Sequence, residues 1–137
     1  MMNLEELQKI AEKDMKIDKD NLDIESLKIP ELQHKYLKFH SNYNLLLKQK
    51  ETEYRMLYRK KWEHYSGKDE KPFPLKILKQ DISIYLDADE ELNKARNTVE
   101  YYKTMVAELD GILKSLNNRG FQIKNAIDWK KFCEGLN

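Results

Sequence analysis

Between Tyr54 and Gly67 four cations, Arg55, Arg59, Lys60 and Lys61, are interleaved with four aromatic rings, Tyr54, Tyr58, Trp62 and Tyr65. Cations supply charge for phosphates, and flat rings supply faces for unstacked bases. Together they are the chemistry that grips a single strand of nucleic acid. At helical spacing Tyr54, Tyr58, Lys61 and Tyr65 share one face, and Arg55, Arg59 and Trp62 share the adjoining one. The same residues also suit the plain end of a long amphipathic helix, with rings packed inward and bases near the negative end of the helix dipole. The stretch alone supports both readings.

Other chemistry finds no such cluster. His34, His40 and His64 lack the i, i+4 spacing of a helical zinc pair, and no cysteine lies near them. Asp87, Asp89 and Glu91 lack the turn glycine and the distal glutamate of a calcium loop, and read as helix capping. No glycine-rich phosphate loop precedes a Lys-Ser/Thr pair, and Cys133 sits in an amphipathic tail where packing explains it. The expectation is a chain that is not an enzyme and uses no cofactor.

The 137 residues fit one compact domain or one protomer of an assembly. With 25 basic and 24 acidic residues the net charge is +1, so contact with nucleic acid has to come from a local patch. Residues 31–67 supply one: their net charge is +4, against −3 for residues 1–30. Four glycines and three prolines are too few for a β-rich chain. The single cysteine excludes an internal disulfide and is compatible with a reducing compartment. An acidic beginning without a long apolar run predicts neither a signal peptide nor a membrane span.

The elements that must position the basic stretch are legible as an all-α pattern. Asn3 as N-cap, with Glu6 three residues on, opens a short helix ending near Asp14. Ile24, Leu27 and Ile29 add a helical turn after a polar connection. Pro30 suits the first turn of a long helix over 31–66, striped by Leu32, Tyr36, Phe39, Tyr43, Leu46, Tyr54 and Leu57, and closed by Ser66-Gly67 with Gly67 in the left-handed conformation. Lys68–Pro74 is a loop. Residues 75–86 alternate weakly as a strand would, but are expected to form one or two helical turns. A second long helix over 88–117 is expected to be capped by Asp87 with Glu90. Its seam runs Leu92, Ala95, Val99, Tyr102, Val106, Leu109, Leu113, Leu116, and Asn117-Asn118 and Gly120 are expected to end it. From about Asn125 a separate amphipathic helix, with Phe121, Ile123, Ile127, Trp129, Phe132 and Leu136 along the tail, would dock either on its own chain or on another subunit. The organisation is thus two long antiparallel helices with short N- and C-terminal helices. Residues 1–118 form the helical body, an N-terminal helix plus the long hairpin, and residues 119–137 form the tail segment.

Two stretches resemble the UvsY family of recombination mediators of T-even-type bacteriophages. Tyr58-Arg59-Lys60-Lys61-Trp62-Glu63-His64-Tyr65-Ser66-Gly67 resembles the family's basic motif, and Arg119-Gly120-Phe121-Gln122-Ile123-Lys124, continuing to Gly135, resembles its C-terminal signature. Leu86-Asp87-Ala88-Asp89 matches a further stretch, and the opening Asn3–Gln8 fits. Lys60 and Trp62 depart from the familiar motif by an added base and a large ring. The resemblance implies a non-catalytic protein that binds single-stranded DNA, the phage single-strand-binding protein and a RecA-like recombinase of the UvsX type. It also implies a hexameric or heptameric ring in the cytoplasm of the infected bacterial host. It places the DNA-contacting pair on Arg59 and Lys61, inside a patch of Arg55, Tyr58, Arg59, Lys60, Lys61 and Trp62. It assigns Phe121, Ile123, Ile127, Trp129 and Phe132 to subunit contact. The rival function is a helical adaptor that binds only protein, its basic patch meeting an acidic surface.

Overall fold

The computed structural model describes residues 1–135, and all regular structure among them is helical. Leu136, expected in the apolar tail, lies outside the described residues. In chain order the helices are α1 (Leu4–Asp14), α2 (Leu22–Leu27), α3 (Ile29–Tyr65), α4 (Ile82–Ala88) and α5 (Glu90–Cys133), with a 3₁₀ turn at Lys79–Asp81 before α4. Local chemistry accounts for the boundaries. The Glu6 amide donates to Asn3 Oδ1 at 2.8 Å, satisfying one of the free donors at the start of α1. Gly67 has φ of +80°, and the Lys68 amide turns back to the Glu63 carbonyl at 2.9 Å, a Schellman closure of α3.

Three expectations need correction. The N-cap of α5 is Asp89, whose Oδ1 accepts the Leu92 amide at 2.9 Å, and not Asp87. Burial of Ile82 and Leu86 draws the chain as far as Ala88 into α4 and so consumes Asp87. Second, α5 does not stop at 117 but runs unbroken for 44 residues to Cys133, through the expected division at 118/119. An interior glycine costs a helix roughly 1 kcal/mol. Here Leu116 and Ile123 are each 1 % exposed, and apolar burial on that scale outweighs the glycine. Third, the buried stripe of α5 uses Met105 and Ile112 in place of Val106 and Leu113. Each is one of two adjacent apolar residues, so periodicity could not choose between them.

The chain forms two compact units, residues 1–42 with 105–137, and residues 43–104. The first buries Leu7, Tyr36, Met105, Leu109, Leu116 and Ile123. Within it Gln33 bonds Asn117 at 3.2 Å and His40 pairs with Asp110 at 2.8 Å, so its segments of α3 and α5 run antiparallel. Arg119 ties the N-terminal helices to α5: its guanidinium donates to the Met15 and Lys16 carbonyls and, at 2.7 Å, to Glu25. Asp14 accepts from Lys35 Nζ at 2.7 Å and from the Tyr36 hydroxyl at 2.8 Å.

The second unit has its core at Ile82, Leu86 and Leu92, against which Tyr54, Leu57, Trp62, Tyr65 and Ile77 pack. The rings of Tyr43 and Tyr102 stack at 6.4 Å, and Lys61 reaches Asp89, so α3 and α5 are antiparallel here too. The rings of His64, Tyr65, Phe73 and Tyr85 form a cluster with centroids 5.1–5.9 Å apart. That cluster pins the loop after α3 onto the helix that precedes it.

Candidate nucleic-acid interface

Tyr54 to Tyr65 is fully helical, so its residue types are dealt onto an inner and an outer side. Tyr54, Leu57, Trp62 and Tyr65 turn inward onto the core, as does the Lys61 ammonium. Arg55, Tyr58, Arg59 and Lys60 turn outward, with Tyr58 42 % exposed. The expected shared face of Tyr54, Tyr58, Lys61 and Tyr65 is therefore divided. Tyr58 lies on its outer edge, its ring 6.2 Å from that of Tyr54. Trp62 departs from the face expected with Arg55 and Arg59 because the apolar surface of Ile82, Leu86 and Leu92 offers its ring more than water does. The Lys68 ammonium lies 4.7 Å from the indole centroid.

The four cations differ in how free their charge is. Arg59 Nε pairs with Glu63 Oε1 at 3.2 Å, an i, i+4 bridge on an exposed surface that a phosphate can displace at little cost. Lys61 is held more firmly: its ammonium is 3.3 Å from Asp89 Oδ2 and 3.6 Å from Glu91 Oε2, and its side chain is only 20 % exposed. Arg55 donates to the neutral Thr52 hydroxyl at 3.1 Å. Among the described residues Arg55 and Lys60 have no carboxylate ion-pairing with them.

Asp89 is the hub of the inner side. Besides capping α5 and pairing with Lys61, it accepts the Tyr65 hydroxyl at 2.7 Å. Burial pushes its carboxyl upward, but hydrogen bonds from Tyr65, the Leu92 amide and Lys61 together hold its pKa below the ordinary value. Burial first, then the hydrogen bond to Asp89, pushes Tyr65 up to about 12.

Sequence reading missed what α5 brings to this side of the molecule. Arg96 Nη2 donates to the Tyr54 hydroxyl at 3.2 Å and Nη1 to Asn93 Oδ1 at 2.6 Å, with the guanidinium carbon 5.7 Å from the Tyr54 ring centroid. The available signal was position: Arg96 flanks the Leu92–Val99 seam at the level where an antiparallel partner must place the basic stretch.

The expected subunit-contact residues also separate. Phe121, Trp129 and Phe132 are 71 %, 66 % and 67 % exposed, and the last two stack at 5.6 Å. Ile127 is half-buried, and Ile123, 1 % exposed, is spent inside its own chain.

A family model described as "Recombination, repair and ssDNA binding protein UvsY" matches residues 10–136. The chain belongs to the UvsY family. It is 28 % identical, over 98 % of its length and 99 % of the relative's, to the recombination protein uvsY of Enterobacteria phage T4. It also resembles two crystal structures of the bacteriophage T4 recombination mediator protein UvsY. One matches with a TM-score of 0.89 at 27 % identity, covering 96 % of this chain and 98 % of the other. The second matches with a TM-score of 0.86 at 26 % identity and the same coverage. The all-α reading and the assignment to recombination, repair and single-stranded-DNA binding therefore stand. Within this UvsY-family chain, Arg59 and Lys61 are both ion-paired, and the cations beside them are not. No helix of the described residues is long and apolar enough to cross a membrane.

Proposed function

We propose that this chain is a recombination mediator that works by binding rather than by covalent catalysis. Copies assemble into a hexameric or heptameric ring, hold single-stranded DNA, and help a RecA-like recombinase of the UvsX type onto strands covered by the phage single-strand-binding protein. The setting is the cytoplasm of the infected bacterial host. DNA is met by Arg55, Tyr58, Arg59 and Lys60, with Lys61 and Trp62 fixing the helix end that presents them. Self-association is carried by Phe121, Trp129 and Phe132, with Ile127 beside them and Ile123 anchoring the segment from within.

The observation that carries this reading is the presence of carboxylate-free Arg55 and Lys60 beside an exposed Tyr58, in a chain of a single-stranded-DNA-binding family. A patch of this size is weak in one copy. Arrayed in a ring, later contacts become intramolecular and overall affinity rises steeply. Stacking on Tyr58 adds about 1–3 kcal/mol per base. The protein-only adaptor is the weaker alternative for a chain of this family.

The test is mass in solution with and without a labelled oligonucleotide, combined with anisotropy titrations across salt. A multimer that binds with strongly salt-dependent affinity is expected. Trp129→Ala with Phe132→Ala should reduce the assembly and weaken binding while leaving helicity intact. A wild-type monomer that leaves oligonucleotide anisotropy unchanged at low salt would overturn the reading.

A further inference from the structure

Within residues 43–104 an open groove of ≈ 310 Å³ lies between α3 and α5, lined by Glu51, Tyr54 and Arg55 from one and by Arg96, Val99, Glu100 and Lys103 from the other. We propose that this groove is a second contact for the single strand, in which Arg96 and Arg55 hold the phosphodiester backbone. The proposal rests on the DNA-binding reading above and carries the strand's path from α3 onto α5.

The two guanidiniums share a property that Arg59, Lys61 and Lys103 lack. Arg59, Lys61 and Lys103 each answer a carboxylate, whereas Arg55 and Arg96 are tethered by neutral groups. Arg96 spends two of its five N–H donors on the Tyr54 hydroxyl and Asn93 Oδ1. Those bonds fix the plane of the guanidinium without neutralising it. A planar donor that is already oriented and still fully charged binds a phosphate with little further loss of freedom. Tyr54 serves twice, as acceptor for Arg96 and as the ring beneath its guanidinium.

The groove also contains two carboxylates. Glu100 is answered by Lys103 at 3.3 Å. Glu51 has no such cation among the described residues and opposes a phosphate directly. The arrangement therefore predicts effects of both signs, which a purely structural role for Arg96 does not.

The experiment uses the full-length protein and a labelled oligo-dT, with anisotropy read across salt and melting followed in parallel. Arg96→Gln is expected to weaken binding about five- to tenfold and to flatten the log-log salt slope by about 0.7 per bound copy, the share of one single-strand phosphate. Arg96→Lys should restore the slope. Glu51→Gln, at a half-buried position of the groove and independent of how well Arg96→Gln folds, should tighten binding two- to threefold. If wild type binds and Arg55→Gln flattens the slope while Arg96→Gln and Glu51→Gln leave it and the affinity unchanged, the groove is overturned and the DNA-binding reading survives. If wild type binds no oligonucleotide, both are overturned.

Discussion

Each unit ties α3 to a neighbouring segment through the same trio, a carboxylate that accepts from a tyrosine hydroxyl and a lysine ammonium. In the first unit the trio is Asp14, Tyr36 and Lys35; in the second it is Asp89, Tyr65 and Lys61. Their surroundings differ. Asp14 ends a helix and its side chain is 20 % exposed, whereas Asp89 begins one, caps it and is 6 % exposed. In the second unit the lysine also comes from the basic stretch itself. The same three side chains are thus a tie with a partly exposed carboxylate in one place and a joint with a buried one in the other, and the joint decides which way the basic stretch faces.

The difference is largest for removal of the carboxylate. Asp89→Ala deletes an N-cap, leaves the part-buried Lys61 ammonium with Glu91 alone and takes the acceptor from the Tyr65 hydroxyl, so a loss of about 2–4 kcal/mol is expected. Asp14→Ala deletes no cap and leaves the Lys35 ammonium to water, but the hydroxyl of the buried Tyr36 loses its acceptor, so about 1–2 kcal/mol is expected. Urea unfolding at one fixed protein concentration compares them, so that any self-association contributes equally to both. Equal losses would abolish the distinction between joint and tie.

Much of this was legible beforehand, and the failures share a cause. Asn3, Pro30 and Gly67 act within a turn of their own positions, so the starts and stops they mark were readable locally. The end of α5 was not, because Asn117, Asn118 and Gly120 weaken a helix only until Arg119 and Ile123 find buried partners far along the chain. In the same way, residue types marked Arg55–Trp62 as a site, but which cations remain free depends on carboxylates at Glu63, Asp89 and Glu91. Lys61 and Trp62 carry the motif's chemistry, yet their surroundings turn both inward. Arg96 was invisible as a site residue because its neighbour across the groove is 42 positions away.

The trios also set the pH response. Both aspartates have pKa values below their ordinary 3.8. For Asp14 burial acts upward, and the Lys35 and Tyr36 hydrogen bonds outweigh it. A lowered carboxyl pKa stabilises the fold above the unfolded value, and that stability is lost as pH falls through the folded one. Tyr65 moves the other way: raised from 10 to about 12, it stabilises fully below pH 10, and its contribution is lost as pH climbs toward 12. Melting temperature against pH should therefore fall on both limbs. Asp89→Asn and Asp14→Asn should each flatten the acid limb, and Tyr65→Phe should delay the alkaline one. An acid limb unchanged by Asp89→Asn would mean that its carboxylate is no better held in the fold than in the unfolded chain.

The smallest expected effect decides the role of Lys61. Lys61→Met keeps an unbranched apolar stem that can lie along the same surface and removes only the charge. Asp89 would still accept from Tyr65 and the Leu92 amide, so a stability loss of about 1 kcal/mol or less is expected, near that of Lys35→Met. The readout that separates the two lysines is DNA. An ammonium that stays with Asp89 and Glu91 releases no counterion from a strand, so Lys61→Met should leave the salt slope of oligonucleotide binding at its wild-type value, as Lys35→Met should. A slope flatter by about 0.7 for Lys61→Met alone would show the ammonium leaving its carboxylates for a phosphate. Asp89 would then be a competitor for the strand as well as a joint, and the second trio would differ from the first in kind.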